Sequence, residues 1–181
     1  MTAKAKPASP NRRSLLFLAR FLALLVAFYF VVASHPVNDA VIVPFTAGVA
    51  RVSAVILDGI GEKVSVAGTE LRSGAFAVNI ENGCNGVEAA LIFGSAVLAF
   101  PASWRRRLSG LVLGFAAIQA LNLVRVVSLF WIGAHRPALF SASHTVLWQS
   151  VVVLASVLFF LAWASREQKA RAAGARDHGK P

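Results

Sequence analysis

Long apolar runs alternate with short basic or proline-containing breaks along this chain, and that alternation predicts its elements. The first run extends from Leu15 to Ala33, broken only by Arg20. Arg20 lies close enough to the run's start to snorkel back to a basic surface. The run is long for a signal-peptide core, and its aromatic end makes a poor small-residue cleavage site, so a retained helix is favoured over a cleaved signal. Ser34-His35-Pro36 ends it. Residues 44–60 are apolar but carry Arg51 and Asp58, the pattern of an amphipathic or interfacial helix, with a short span as the other possibility. Then the period changes. Val64/Val66 and Phe76/Val78/Ile80 alternate around an Ala67-Gly68 turn, which predicts a small β-hairpin or meander over 62–83.

A second membrane helix is expected from Gly86 to Phe100, stopped by Pro101; at 1.5 Å per residue it reaches only about 23 Å. A third runs from Leu108 to Gly133 and a fourth from Ser143 to Ala164. The expected fold is therefore an all-α polytopic membrane protein: about four transmembrane helices, an external amphipathic helix and a small external β-hairpin. Its parts are a basic tail at 1–14, a membrane domain at 15–165 with an external segment at 34–83, and a basic tail at 166–181 expected to be disordered.

Composition agrees. Hydrophobic residues make up 57% of the chain and charged residues 14%, where a soluble domain carries nearer a quarter. The net charge of +10 does not indicate nucleic acid, because the basic residues flank apolar segments instead of striping one face. They concentrate in the two tails and in Trp104-Arg105-Arg106-Arg107, which the positive-inside rule places in the cytoplasm. The 34–83 and 134–142 segments are then external, and there acids (Asp39, Asp58, Glu62, Glu70, Glu81) outnumber bases (Arg51, Lys63, Arg72, Arg136).

That threading carries Cys84, Arg125 and His144 toward one face of the bilayer. Cys84 is the only cysteine, so an internal disulfide is excluded and a nucleophile is its simplest chemical use. Its place before the second helix and a neighbouring histidine are two features expected to lower its pKa. Arg125 stays protonated; its expected role is to stabilise an oxyanion or hold a carbonyl or carboxylate. His144 is the candidate base, with His35 and His135 as rivals on the same side. Asn82-Gly83 and Asn85-Gly86 bracket the thiol with flexible backbone. Glu88, at i+4 from Cys84, is expected on its face with Arg125 as partner, and Asn122, Ser128 and Gln119 give the third helix a polar side. Gly110 and Gly114 have the spacing of close helix packing. One cysteine and scattered histidines provide no metal-ligand pairs, and no phosphate-binding glycine loop or GxSxG elbow occurs, so no metal or cofactor is expected.

Cys84-Asn85-Gly86 entering a helix, Asn122-Leu123-Val124-Arg125 within a later one and Ser143-His144 at the start of the next resemble the marks of the exosortase/archaeosortase family of membrane cysteine proteases. The extended stretch 62–83 before the cysteine matches as well. The resemblance covers roughly residues 40–165 and looks closest to the short H-type exosortases, with the additional spans of longer members missing. It implies an enzyme that cleaves exported proteins at a carboxyl-terminal tail of short motif, membrane helix and basic cluster. The cleavage would pass through a thioester, with transfer to an acceptor of unknown identity. Cys84, Arg125 and His144 would be catalytic, supported by Glu88, Asn122, Asn85 and Gly86. The setting it implies is a bacterial inner membrane, with the site facing the periplasm. Two rival readings use the same residues without a reaction: a membrane scaffold whose polar cluster only holds helices together, and a small transporter with Glu88, Arg125 and Gln119 along its path.

Overall fold

The structure is a computed structural model that describes residues 10–74 and 76–177. Helix α1 spans Pro10–Ala33, and after Ser34 the chain is helical again at once: α2 (His35–Val37), a π-helical stretch (Asn38–Ile42) and α3 (Val43–Gly59) follow without a break. Pro36 sits in the first turn of α2, where its missing N–H is unneeded. The residues that end one helix thus begin the next, and the expected 44–60 helix starts earlier, at His35. Three strands come next: β1 (Ser65–Ala67), β2 (Glu70–Ser73) and β3 (Phe76–Asn79), an antiparallel meander in the order β1-β2-β3. The alternating pattern marked its outer strands, and Leu71 pairing with Val66 and Val78 makes the third. Then come α4 (Val87–Ala99), α5 (Trp104–His135), α6 (Pro137–Ala142), a second π-helical stretch (Ser143–Trp148) and α7 (Gln149–Asp177). The tail expected to be disordered from 166 is helical as far as Asp177; residues 178–181, like 1–9, lie outside the described residues.

Helices α1, α4, α5 and α7 form an up-down-up-down bundle. Phe17 of α1 meets Phe100 at the end of α4, and Tyr29 and Glu88 line one groove at the other end. Between α4 and α5, Phe93 lies over Gly114; between α5 and α7, Trp163 lies over Gly110. A side chain at either glycine would collide with the ring, so this spacing serves helix contact within the bundle. In lipid, where apolar burial offers little preference, such close approach is what holds helices together. At the basic end, Arg106 pairs with Glu167 at 3.1 Å, and Arg107 donates twice to the Phe100 carbonyl, closing the α4–α5 turn.

Four helices are long and apolar enough to cross a membrane: Arg12–Ala33, His35–Gly59, Trp104–His135 and Pro137–Ala170; Val87–Ala99 is shorter. Length alone does not make His35–Gly59 a crossing. Ala33, Ile42, Asn85 and Val87 line one small cavity, and Asn85 donates to Thr46, so α3 departs from the depth at which α1 ends. It then runs with α5, from Phe45 beside Phe115 to Leu57 in one cluster with Phe130. Two consecutive helices pointing the same way do not both cross. Helix α3 therefore stands beside α5 from Phe115 to Phe130; the 32 residues of α5, about 48 Å long, exceed a hydrocarbon core of about 30 Å. Above the bundle, Leu57 and Ala50 of α3, Leu71 and Ile80 of the sheet region and Phe130 of α5 form a compact core. Burying side chains such as Leu57 and Leu71 completely is worth about 2 kcal/mol each where water is the alternative.

Candidate active site

Cys84 lies in the turn between β3 and α4, three positions ahead of Val87, the first residue of α4. The turn is built from left-handed glycines: Gly83 has φ +89° and Gly86 φ +79°. Gly86 is constrained twice, since a side chain there would press on Asn122 and Gln119 of α5. Asn85 clamps the turn from inside. Its amide donates to Thr46 Oγ1 at 3.0 Å, and its carbonyl oxygen accepts the Val87 N–H at 3.0 Å, capping α4. The sequence placed the thiol at the helix terminus. In the structure it stands just outside, and Asn85 takes the first free N–H.

Arg125, 2% exposed, comes from α5. Its Nη1 donates to the Gly83 carbonyl at 3.2 Å, and Nη2 lies 3.5 Å from Cys84 Sγ and 3.3 Å from Gln149 Oε1. His144 sits within the π-helical stretch between α6 and α7 instead of at a helix start, and its Nε2 lies 2.9 Å from Cys84 Sγ. Its ring is stacked on Phe140, 5.8 Å between centroids and 2° between planes, which fixes how the imidazole faces the sulfur. Sulfur, imidazole and guanidinium therefore meet, although 60 residues separate Cys84 from His144 and 41 separate it from Arg125.

The supporting residues divide. Asn85 and Gly86 shape the turn. Asn122 is fully buried against Gly86, with neither amide atom hydrogen-bonded among the described residues. Glu88 departs from expectation: it is exposed, lines the groove between α1 and α4 beside Tyr29 and Leu91, and makes no ion pair with Arg125 among the described residues. The reason is that Cys84 is not helical, so i+4 spacing does not put the two on one face. Among the rival bases, His135 bonds the Trp131 carbonyl at 3.0 Å and Glu62 at 3.2 Å, away from the sulfur, and His35 is exposed at the start of α2.

Gln149 was not singled out in the sequence. It is five residues after His144, a spacing that points two side chains apart on an α-helix. The π-helical stretch between them bonds i to i+5 and brings them to the same side. An amide in an apolar span next to a candidate histidine was the available signal; the local change of helix type was not readable.

The thiol's environment also differs from expectation. Burial pushes its pKa up from the ordinary value; Arg125 draws it down, and Glu81 and Glu88 push it up. At neutral pH the resting group is a thiol whose proton must be removed during attack, not a ready-made thiolate. Alkylation of Cys84 by iodoacetamide is therefore expected to inflect above the ordinary thiol range. Arg125→Gln should move the inflection further up, and Glu81→Gln or Glu88→Gln should move it down. Rate-against-pH profiles check all three signs; a downward move for Arg125→Gln would contradict this account of the charges.

A family profile described as transmembrane exosortase matches residues 11–164. No curated protein and no solved structure matches the chain.

Proposed function

Because this chain belongs to the transmembrane exosortase family, we propose that it is a membrane cysteine peptidase or transpeptidase acting on exported proteins that carry a carboxyl-terminal tail of short motif, apolar helix and basic cluster. The observation that carries the reading is the 2.9 Å approach of His144 Nε2 to Cys84 Sγ, with the Arg125 guanidinium 3.5 Å from the same sulfur. A nucleophile in reach of its base, with a fixed cation beside both, is the minimum set for acyl transfer.

The chemistry follows from the geometry. His144 Nε2 accepts the Sγ proton as the sulfur attacks the carbonyl carbon of the scissile peptide bond. Negative charge grows on the carbonyl oxygen, and Arg125, fixed by Gly83 and Gln149, opposes it without reorganising. On collapse the C–N bond breaks, the imidazolium returns its proton to the departing amine, and the acyl group remains on sulfur as a thioester. Water or an acceptor amine, deprotonated by the same imidazole, then attacks the thioester; the C–S bond breaks, the imidazolium returns the proton to Sγ, and the acyl group leaves as an acid or an amide. The basic residues at the opposite end of the bundle, Arg105, Arg106 and Arg107, support a cytoplasmic placement of that end. The site then faces the periplasm of a bacterial inner membrane.

The test is to incubate the full-length protein, in native membranes, with tail-bearing exported proteins encoded in the same genome. The expected result is loss of the tail by intact mass, with a covalent enzyme–substrate adduct that hydroxylamine releases. If no such protein changes mass, the peptidase reading fails.

A further inference from the structure

The meander places one strand edge beside the nucleophile. Strand β3 ends the sheet, with β2 on one side and no strand on the other. Its pairing decides which groups face outward. The Ile80 N–H bonds the Thr69 carbonyl, and Val78 and Phe76 stand opposite Leu71 and Ser73 in the same phase. In an antiparallel ladder the intervening residues point their N–H and C=O groups away from the partner. Those residues are Ala77 and Asn79, both exposed. None of the main-chain hydrogen bonds among the described residues uses their outward groups. The edge also lacks the usual protection: Phe-Ala-Val-Asn contains no proline and no charge, the features that block strand addition elsewhere.

This edge leads into the catalytic turn. Through Ile80 the chain passes directly to the loop that holds Cys84, and Val78, Asn79 and Ile80 line one cavity with Cys84, Arg125 and His144. From this we infer that the free edge of β3 is the docking site for the substrate polypeptide. Just before the scissile bond, the substrate adds as an extended strand whose main chain pairs with Ala77 and Asn79. The inference rests on the peptidase reading and goes further in naming how the substrate is held. Main-chain pairing recognises an extended conformation and is tolerant of side chains, so specificity is left to the few positions that enter the cavity. It also sets a direction: a strand held along β3 delivers its next carbonyl toward the sulfur.

Proline supplies the test, because an edge strand tolerates it where the N–H faces away from the sheet. Ala77→Pro and Asn79→Pro are each expected to lower tail removal by about tenfold, as loss of one main-chain hydrogen bond implies. Ser65→Ala, on the opposite edge of the sheet, should process the tail normally. Iodoacetamide alkylation of Cys84 monitors the site without substrate and should be unchanged in all three. A second measurement does not depend on the proline variants folding: benzoylphenylalanine at position 77, in a Cys84→Ala background, should cross-link to a tail-bearing protein, whereas the same label at position 65, on the opposite sheet edge, should not. Normal processing by both proline variants overturns the inference, as does cross-linking from position 65 in place of 77, or from 77 only to a second copy of the enzyme. A wild-type protein that alkylates normally but trims no tail overturns the peptidase reading itself.

Discussion

Cys84→Ala is expected to abolish tail removal, by at least about 10⁴-fold, and to eliminate the hydroxylamine-sensitive adduct. The size of the effect follows from the chemistry: without sulfur no covalent intermediate forms, and what remains is binding and charge stabilisation around an unactivated peptide bond. The fold should survive. Cys84 is only partly buried and packs at the edge of the cluster around Leu57 and Phe130, so removing one sulfur atom costs about 1 kcal/mol at most. Thermal unfolding in detergent, compared with the wild type, separates a lost reaction from a lost fold. A variant that unfolds normally and keeps more than a tenth of the wild-type trimming rate would remove Cys84 from the mechanism.

The second large effect concerns His144. Because an ordinary thiol is already largely protonated at neutral pH and burial pushes the Cys84 pKa further up, the base is needed at the moment of attack. His144→Ala should lower trimming by about 10² to 10⁴-fold near pH 7. The loss should shrink as pH rises, since solvent then generates the thiolate without help. The sign is set by the direction of the shift. A folded-state pKa above that of the unfolded chain means that the native protein holds the proton more tightly. Rescue therefore begins only above the ordinary thiol range, and the small stability contribution of the neutral thiol, complete below the unfolded value, fades as pH passes the folded one. His135→Ala and His35→Ala should leave the rate within about twofold, because neither ring is among the groups around the sulfur. An unchanged rate in His144→Ala, or a deficit that does not narrow at high pH, would contradict the assignment of base.

How much of this could be read from the residues depends on the range of the interaction that decides each feature. The helices of the bundle were legible because a bilayer accepts few solutions for a long apolar run: its main-chain groups must be satisfied internally. The sheet was legible in its outer strands, where Val64/Val66 and Phe76/Val78/Ile80 alternate. It was not legible in β2, where Leu71 is the one apolar residue between Glu70 and Arg72. The start of α2 was missed because Ser34-His35-Pro36 serves equally as a stop and as an N-terminal cap followed by a first-turn proline. The fate of the basic tail was missed as well: Glu167, 8% exposed, is tied to Arg106, which lies 61 residues away.

The catalytic candidates show the same division. An isolated thiol, an intramembrane arginine and a histidine beside a helix are marked by composition alone, because each is costly or unusual in its setting. Their partners are not. Whether Glu88 or Gln149 accompanies Arg125 depends on a left-handed turn that keeps Cys84 out of α4 and on a π-helical stretch that rotates Gln149 toward His144. Both are settled by packing between elements remote in sequence.

The residue order alone marked the membrane class, most of the long apolar segments and three side chains of reactive type, since solvent transfer and charge act locally along the chain. Only the folded arrangement decided that sulfur, imidazole and guanidinium meet, that burial moves the thiol's pKa up instead of down and that a strand edge opens beside it. Each of these is set by distances between segments that the backbone brings together through bundle packing.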